Sequence, residues 1–317
     1  MSWRPTASLD ALRHRATMLA TIRGFFSQRD VLEVETPLLC SAGVTDPSIE
    51  PFLVRKGQSV APARFLQTSP EYCMKRLLCA YPYPIYQITR AFRDGEVGAR
   101  HNPEFTLLEW YRPGFDHHQL MDEVAELVQL CLGQRVVKQH RYRELFDAVL
   151  GVDPMQASAQ QLQSLAHEHV DVSSMSGDKD VWLDLLMSHV IEPHLNDGHL
   201  HFVYDYPASQ AALAQVTCRD GVWVAQRFEL YVQGLELANG YLELADAQEQ
   251  RDRFTADLAL RSARDLPQHP PDEHLLQALQ AGLPPCSGVA LGLDRLLMVA
   301  LGVTDVRDVL SFAWESS

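Results

Sequence analysis

The sequence has no CxxC pair, no secretory apolar core near its start, no run long enough to cross a membrane, and no stretch dense in Lys and Arg. Each absence excludes something. Six cysteines (Cys40, Cys73, Cys79, Cys131, Cys218 and Cys286) stand scattered in 317 residues, a length that builds a core without staples. They read as free, mostly buried thiols in a reducing compartment. The first residues lead into a segment bearing Asp10, Arg13, His14 and Arg15, which is not a signal peptide. The apolar run at 296–301 falls far short of the roughly 20 residues of a membrane span. No membrane partner and a cytoplasmic location are expected. Basic residues are the minority, with 27 Lys+Arg against 41 Asp+Glu and a net charge of −14. That sign excludes a protein living on nucleic-acid phosphates, and it suits a basic protein partner or an amine substrate.

What is present is a patterned globular chain. Hydrophobic residues make up 46% and aromatics 9%, which excludes a disordered or fibrous polypeptide. Leu9, Leu12, Ala16, Leu19, Ile22 and Phe26 predict a helix over 9–29 with Ser8 at its cap, then a strand over 31–36 stopped by Pro37. Residues 38–63 read as loop. Segments 85–92 and 104–111 read as the strands of an antiparallel hairpin, and 120–132 as an amphipathic helix. A helical region over 140–200 contains a loop at 173–178. Strands are expected at 200–204, 211–216 and 227–237. A helix at 246–263, a proline-rich loop at 265–273, a strand at 288–291 and a helix at 294–301 complete the chain. Hairpins and isolated helices without βαβ alternation predict an α+β fold: a largely antiparallel sheet flanked by helices, in one domain spanning 1–317. Trp110 and Trp223 are expected in the core. His117-His118, His167-x-His169 and His199-x-His201 lack Cys or carboxylate partners at ligand spacing, so they read as ordinary histidines rather than zinc ligands.

Three segments carry chemistry. In the first, a strand delivers Arg93, a polar loop follows, and a second strand carries Phe105, Glu109 and Tyr111 on one face at even spacing. An arginine, an aromatic ring and a carboxylate in one groove suit a phosphate, a base and an amine. In the second, Glu229, Glu236 and Glu243 stand seven residues apart. Odd spacing flips faces on a perfect strand, so convergence demands a bulge or a turn near Gly234 or Asn239-Gly240. Converging carboxylates suit a hard cation carrying a polyphosphate. In the third, Gly288 and Gly292 permit close backbone approach just before a helix that begins beside Arg295.

In that order the segments resemble the second motif, the acidic strand and the third motif of class II aminoacyl-tRNA synthetases. The helix at 9–29 with its strand is similar to the first, dimer-forming motif. Thr68-Ser69-Pro70-Glu71, the run from Arg100 to Phe105, and Glu236-Leu237-Ala238-Asn239-Gly240 are particularly similar to lysyl-tRNA synthetases. Those enzymes carry an anticodon-binding domain before the first motif, which here starts by residue 9, so no such domain and no tRNA are expected. The likeness is therefore strongest to the stand-alone paralogues that attach β-lysine to translation elongation factor P.

The resemblance implies ATP and Mg²⁺ as cofactors, elongation factor P and β-lysine as partners, and a homodimer. It implies an amide-forming ligase that cleaves ATP to AMP and pyrophosphate. Alternatives from other classes are a truncated synthetase charging a tRNA and a non-catalytic regulatory paralogue. By likeness, Arg93 holds the α-phosphate and Arg295 the γ-phosphate, the two catalytic charges. Asp94, Gly95, His101, Asn102, Phe105, Glu236, Leu237 and Gly292 complete the ATP site, with Phe105 stacked on adenine. Glu229 and Glu236 hold the metal. Ser69, Pro70, Glu71, Glu109, Tyr111, Glu243 and Ala290 form the amino-acid pocket. Two positions depart from the pattern: Gly95 stands where an acid is usual, with Glu96 beside it, and Ala290 stands where lysyl-tRNA synthetases have glycine. An added methyl in a packed pocket is worth ~1–3 kcal/mol of discrimination.

Overall fold

The computed structural model describes residues 3–55, 63–171 and 175–317. Parts of the expected loops at 38–63 and 173–178 lie outside the described residues. The chain forms two compact units, Met1–Phe115 with Leu244–Ser317, and Asp116–Glu243.

The first unit opens with α1 (Leu9–Ser27), whose start Ser8 caps by accepting from the Ala11 amide at 3.1 Å. Its buried stripe is Ala11, Met18, Ile22, Phe25 and Phe26. Leu9 and Ala16, expected on that stripe, lie on the exposed side instead. Phe26 stacks on Tyr86 at 4.3 Å and meets Trp110 edge-on at 5.4 Å, locking the helix to the sheet. The strand expected over 31–36 is only β1 (Leu32–Glu33). Segments β2 (Leu39–Cys40), β3 (Leu53–Val54) and β4 (Arg64–Leu66) form a small sheet in the order β2-β4-β3, and α2 (Glu71–Ala80) follows. These short pieces give too few residues for a period to show. The hairpin is β5 (Ile85–Phe92) with β6 (Glu104–Pro113), antiparallel as expected, while β1 runs parallel to β5.

The second unit contains α3 (His117–Leu132), β7 (Val137–Arg141), α4 (Tyr142–Leu150), α5 (Ala159–His169), α6 (Lys179–Leu186), α7 (Glu192–His194), β8 (Leu200–Pro207), β9 (Val216–Arg219), β10 (Val222–Val232) and β11 (Leu235–Leu242). A π-helical turn, Met187–Ile191, joins α6 to α7. Strand β10 pairs antiparallel with β11, β8 and β9, and β7 runs parallel to β8. The single strand expected over 227–237 is two strands joined at Gly234 (φ +67°), with a register shift between Leu230 and Tyr231. The strand expected over 211–216 is not formed there, because the chain turns through Ala212 at φ +47° and pairs only from Val216. Trp110 is fully buried, but Trp223 is 64% exposed. It sits opposite Cys218 on the β9–β10 ribbon, where its side chain stays in solvent.

The chain then returns to the first unit as α8 (Ala247–Ala263), α9 (Glu273–Ala281), β12 (Cys286–Gly292) and α10 (Leu293–Leu301). Strand β12 lies antiparallel to β6. The largely antiparallel sheets and flanking helices match the α+β expectation. Among the described residues no helix is long and apolar enough to cross a membrane.

Candidate active site

In the first unit the hairpin and β12 set Gln87, Glu109 and Ala290 in one row, since Glu109 pairs with Gln87 across β5 and with Ala290 across β12. Glu109 is 2% exposed yet polar, and its oxygens are engaged from two sides. The Ser69 hydroxyl donates to Oε2 and the Tyr111 hydroxyl to Oε1, both at 2.7 Å. Ser69 also accepts the Glu71 amide at 3.1 Å, tying the Pro70 turn and the start of α2 to this carboxylate. Glu71 in turn accepts from Lys75 Nζ at 2.6 Å. Ser69, Glu71, Glu109 and Tyr111 are thus linked by hydrogen bonds, with Pro70 between the first two and Ala290 paired with Glu109 on β12. Gln87, buried at the same row and accepting from Thr36 at 3.0 Å, joins them. Its place two residues into a strand gave no sign of this, because only pairing register reveals it.

At the far end of the hairpin, Arg93 follows the last residue of β5 and its guanidinium sits 5.0 Å from the Phe105 ring centre. Asp94 fixes the turn, donating its amide to the Glu50 carbonyl at 2.7 Å. Gly95 occupies φ +79°, a left-handed position where an acidic side chain is strained, and the acid falls one residue later. Glu96 lies 3.7 Å from Arg93. Asn102 is committed to shape: its amide donates to the Glu104 carbonyl at 2.7 Å and its oxygen accepts the Trp314 amide at 2.9 Å. Arg295, in the first turn of α10, meets His101 Nε2 at 2.6 Å. Burial, then the Arg295 charge, holds His101 below its usual range, so it faces the guanidinium as a neutral acceptor. Gly292 ends β12, and a Cβ placed on it meets only Arg295 atoms, the nearest at 3.8 Å. Space beside that backbone lets a ligand approach.

The second unit holds the acidic residues. Glu229 and Glu236 line one cavity of about 440 Å³. Glu229 accepts from Tyr206 at 2.5 Å and from Tyr231 through Oε2, and from Arg227 through Oε1. Arg227 also donates to the Gln210 carbonyl at 2.8 Å. Burial and the Glu229 charge push both tyrosines well above the usual phenol range. Leu237 packs into the core beside Glu236, and Glu243, just past β11, is 2% exposed. The bulge at Leu230/Tyr231 and the turn at Gly234 are what bring Glu229 and Glu236 to one cavity despite their odd spacing. The alternation Arg227-x-Glu229-x-Tyr231 was the signal for this network, since i, i+2 and i+4 share a strand face. Among the described residues no group of three His, Cys, Asp or Glu could hold a metal on its own. Mg²⁺ is commonly bound by one or two carboxylates, with substrate phosphates and water supplying the rest. A cavity with two carboxylates fits such a shared ion.

One buried residue joins three elements of the first unit. Asp294, 3% exposed, accepts the Thr106 amide at 2.7 Å and the Arg15 guanidinium. It bonds α1, β6 and α10 together beside Arg295. Its signal in the sequence is an acid next to a motif arginine.

Comparison with known proteins shows the family. The chain matches the family of class II tRNA synthetases (D, K and N) over residues 1–316. It belongs to that family. Within it, the chain is 48% identical to the elongation factor P–(R)-β-lysine ligase of Salmonella paratyphi B over 317 aligned positions, 98% of this chain and 97% of the relative. The proteins of the same name from Salmonella schwarzengrund and Salmonella enteritidis align with the same identity and coverage.

Proposed function

We propose that the chain is a ligase that activates β-lysine with ATP and transfers it to a lysine side chain of translation elongation factor P. The observation that supports this most is full-length similarity to ligases of that name, joined to a buried carboxylate, Glu109, with Ala290 opposite it. ATP use accompanies membership of the synthetase family. The match spans both compact units, which supports reading 1–317 as one catalytic domain. The cytoplasm, where elongation factors work, is the proposed location.

In the first half-reaction the carboxylate oxygen of β-lysine attacks the α-phosphorus of ATP, the bond to the β-phosphate breaks, and pyrophosphate leaves. No protein nucleophile is required, because holding the reactants in line removes most of the entropic barrier. Arg93 clamps the α-phosphate and Arg295 the γ-phosphate, as fixed charges where negative charge develops. Phe105 stacks on adenine under the Arg93 guanidinium. His101, Asn102, Asp94 and Gly95 form the loop over the nucleotide, and Leu237 and Gly292 offer backbone to it. Glu71 and Glu109, with Tyr111, Ser69, Pro70 and Glu243, receive the two ammonium groups. Glu236 and Glu229 would hold Mg²⁺, which would supply positive charge to the polyphosphate. In the second half-reaction the acceptor amine attacks the activated carbonyl, the carbonyl–phosphate oxygen bond breaks, and AMP leaves.

A homodimer is part of the reading. Leu9 on α1, Leu32 on β1, and Leu38 and Leu39 at β2 are exposed apolar residues of the kind an interface covers.

The test incubates the protein with ATP and each lysine isomer, adding elongation factor P or tRNA, and follows products by mass spectrometry. Elongation factor P bearing one β-lysyl group is expected. A charged tRNA with unmodified elongation factor P would overturn the proposal.

A further inference from the structure

The segment from Thr45 to Glu50 has no helix or strand of its own, so its place is set by what holds it. Helix α8 holds it from one side. Thr45, 1% exposed, donates its hydroxyl to Asp257 at 2.8 Å. One turn further along α8, the fully buried Arg261 spreads its guanidinium over the segment. Nη1 donates to the Asp46 carbonyl at 2.9 Å and the Ile49 carbonyl at 3.3 Å, and Nη2 to the Glu50 carboxylate. Nε donates to the Pro267 carbonyl at 2.6 Å. His269 Nε2 closes the cluster, 2.8 Å from Arg261 Nη2 and 3.1 Å from Glu50 Oε1. A planar guanidinium engaged at all three nitrogens is a fixed point. The segment's other side reaches the nucleotide loop. The Glu50 carbonyl accepts the Asp94 amide at 2.7 Å, while the Arg93 amide donates to the Pro103 carbonyl at 2.9 Å. Those amides belong to the two peptide planes flanking the Arg93 Cα, so together they set the direction in which its side chain leaves the backbone. All of these residues lie in the first unit.

We infer that Arg261 is a positioning residue for ATP: through Glu50 it fixes the turn that aims Arg93 at the α-phosphate. The inference rests on the proposed function. Being fully buried, Arg261 acts on the nucleotide only through this chain of contacts. A displacement of about 1 Å in such a site costs about a hundredfold, so a loosened Glu50 is felt at Arg93 without any change to Arg93 itself.

The test compares the full chain with Arg261→Lys, Glu50→Ala and Glu50→Gln. Phe146→Leu, in the core of the second unit, serves as a variant destabilised elsewhere. The Kd for ATP, read by calorimetry, needs no turnover. It is expected to rise about ten- to a hundredfold in Arg261→Lys, which loses the fork, and in Glu50→Ala, which loses the tether. Glu50→Gln keeps an accepting oxygen for Arg261 and should stay within about threefold of wild type. In ATP–pyrophosphate exchange the KM for ATP should follow the Kd, while the KM for β-lysine stays within about twofold. Phe146→Leu should lower Tm and leave both constants within about twofold. A Glu50→Ala protein that binds ATP as the wild type does overturns the inference, and this variant decides if Arg261→Lys does not fold. Equal weakening of ATP in Phe146→Leu also overturns it, because the effect would then be lost stability alone. Absence of exchange in a wild type that binds ATP would defeat the proposed function and leave the role of Arg261 to the calorimetry.

Discussion

Replacing Asp294 by Asn should weaken the fold far more than its single lost charge suggests. The carboxylate accepts from two buried donors at once, the Thr106 amide at 2.7 Å and the Arg15 guanidinium, whose side chain is only 17% exposed. An asparagine of the same shape has one accepting atom and one donating group. If its oxygen serves Arg15, its NH₂ faces the Thr106 N–H, and a buried donor loses its partner at about 1–3 kcal/mol. If its oxygen serves Thr106, the guanidinium faces another donor, and a broken buried pair costs about 3–5 kcal/mol. The molecule takes the cheaper arrangement and still loses the charge-assisted part of the Arg15 contact, so about 3 kcal/mol is expected. At about 2–4 °C per kcal/mol for a chain of this order, Tm should fall by about 6–12 °C. The control is Arg307→Gln, which breaks the Asp305–Arg307 pair where the arginine is 53% exposed; its cost should stay under about 1 kcal/mol. Thermal unfolding by circular dichroism reads both. Equal shifts for the two variants would refute the claim that Asp294 organises the unit.

Other expectations follow from the same reasoning. His117 is buried with both ring nitrogens lacking partners, and burial, then His118, pushes it down from 6.5 to about 3. The unfolded chain therefore takes up a proton that the folded chain refuses, and stability falls as pH drops from about 6.5 towards 3, by at most about 1.4 kcal/mol per pH unit. His117→Leu should flatten that slope in urea titrations, and an identical slope would count against it. Arg295→Ala should abolish pyrophosphate exchange in a folded protein, since a fixed charge on the polyphosphate is worth several kcal/mol in the transition state; near-normal exchange would remove Arg295 from the assignment. Ala290→Gly should shift preference from β-lysine towards α-lysine by about ten- to a hundredfold in competitive exchange, the worth of one methylene-sized pocket change, and an unchanged ratio would place selectivity elsewhere. Light scattering at micromolar concentration should give the mass of a dimer, and a strict monomer would refute the role of the exposed leucines Leu9, Leu32, Leu38 and Leu39.

Long elements were legible because period accumulates over many residues. α1, the β5–β6 hairpin and α3 were readable within a few residues of their ends. Short strands such as β2, β3 and β4 were not, for they are set by tertiary pairing rather than by their own pattern. The site was legible where a motif fixes its residues, as at Arg93, Phe105 and Arg295. It was illegible where register decides, as at Gln87, or where one side chain bonds distant segments, as Asp294 joins Arg15 to Thr106. Trp223 failed for a related reason: hydrophobicity predicts burial only where another layer covers the strand.

The Lys75–Glu71 pair has a consequence for ligand choice. Lys75 is 1% exposed and already donates to the carboxylate assigned to the substrate amine. On that assignment the chain carries an internal imitation of its own substrate, a primary ammonium held one helical turn from the pocket. An arriving amine trades places with, or shares an oxygen with, a group of identical charge, so its net gain is the difference between two similar contacts. Amines are then discriminated by reach and geometry rather than by charge. A ligand with no amine leaves the lysine seated and gains nothing from Glu71.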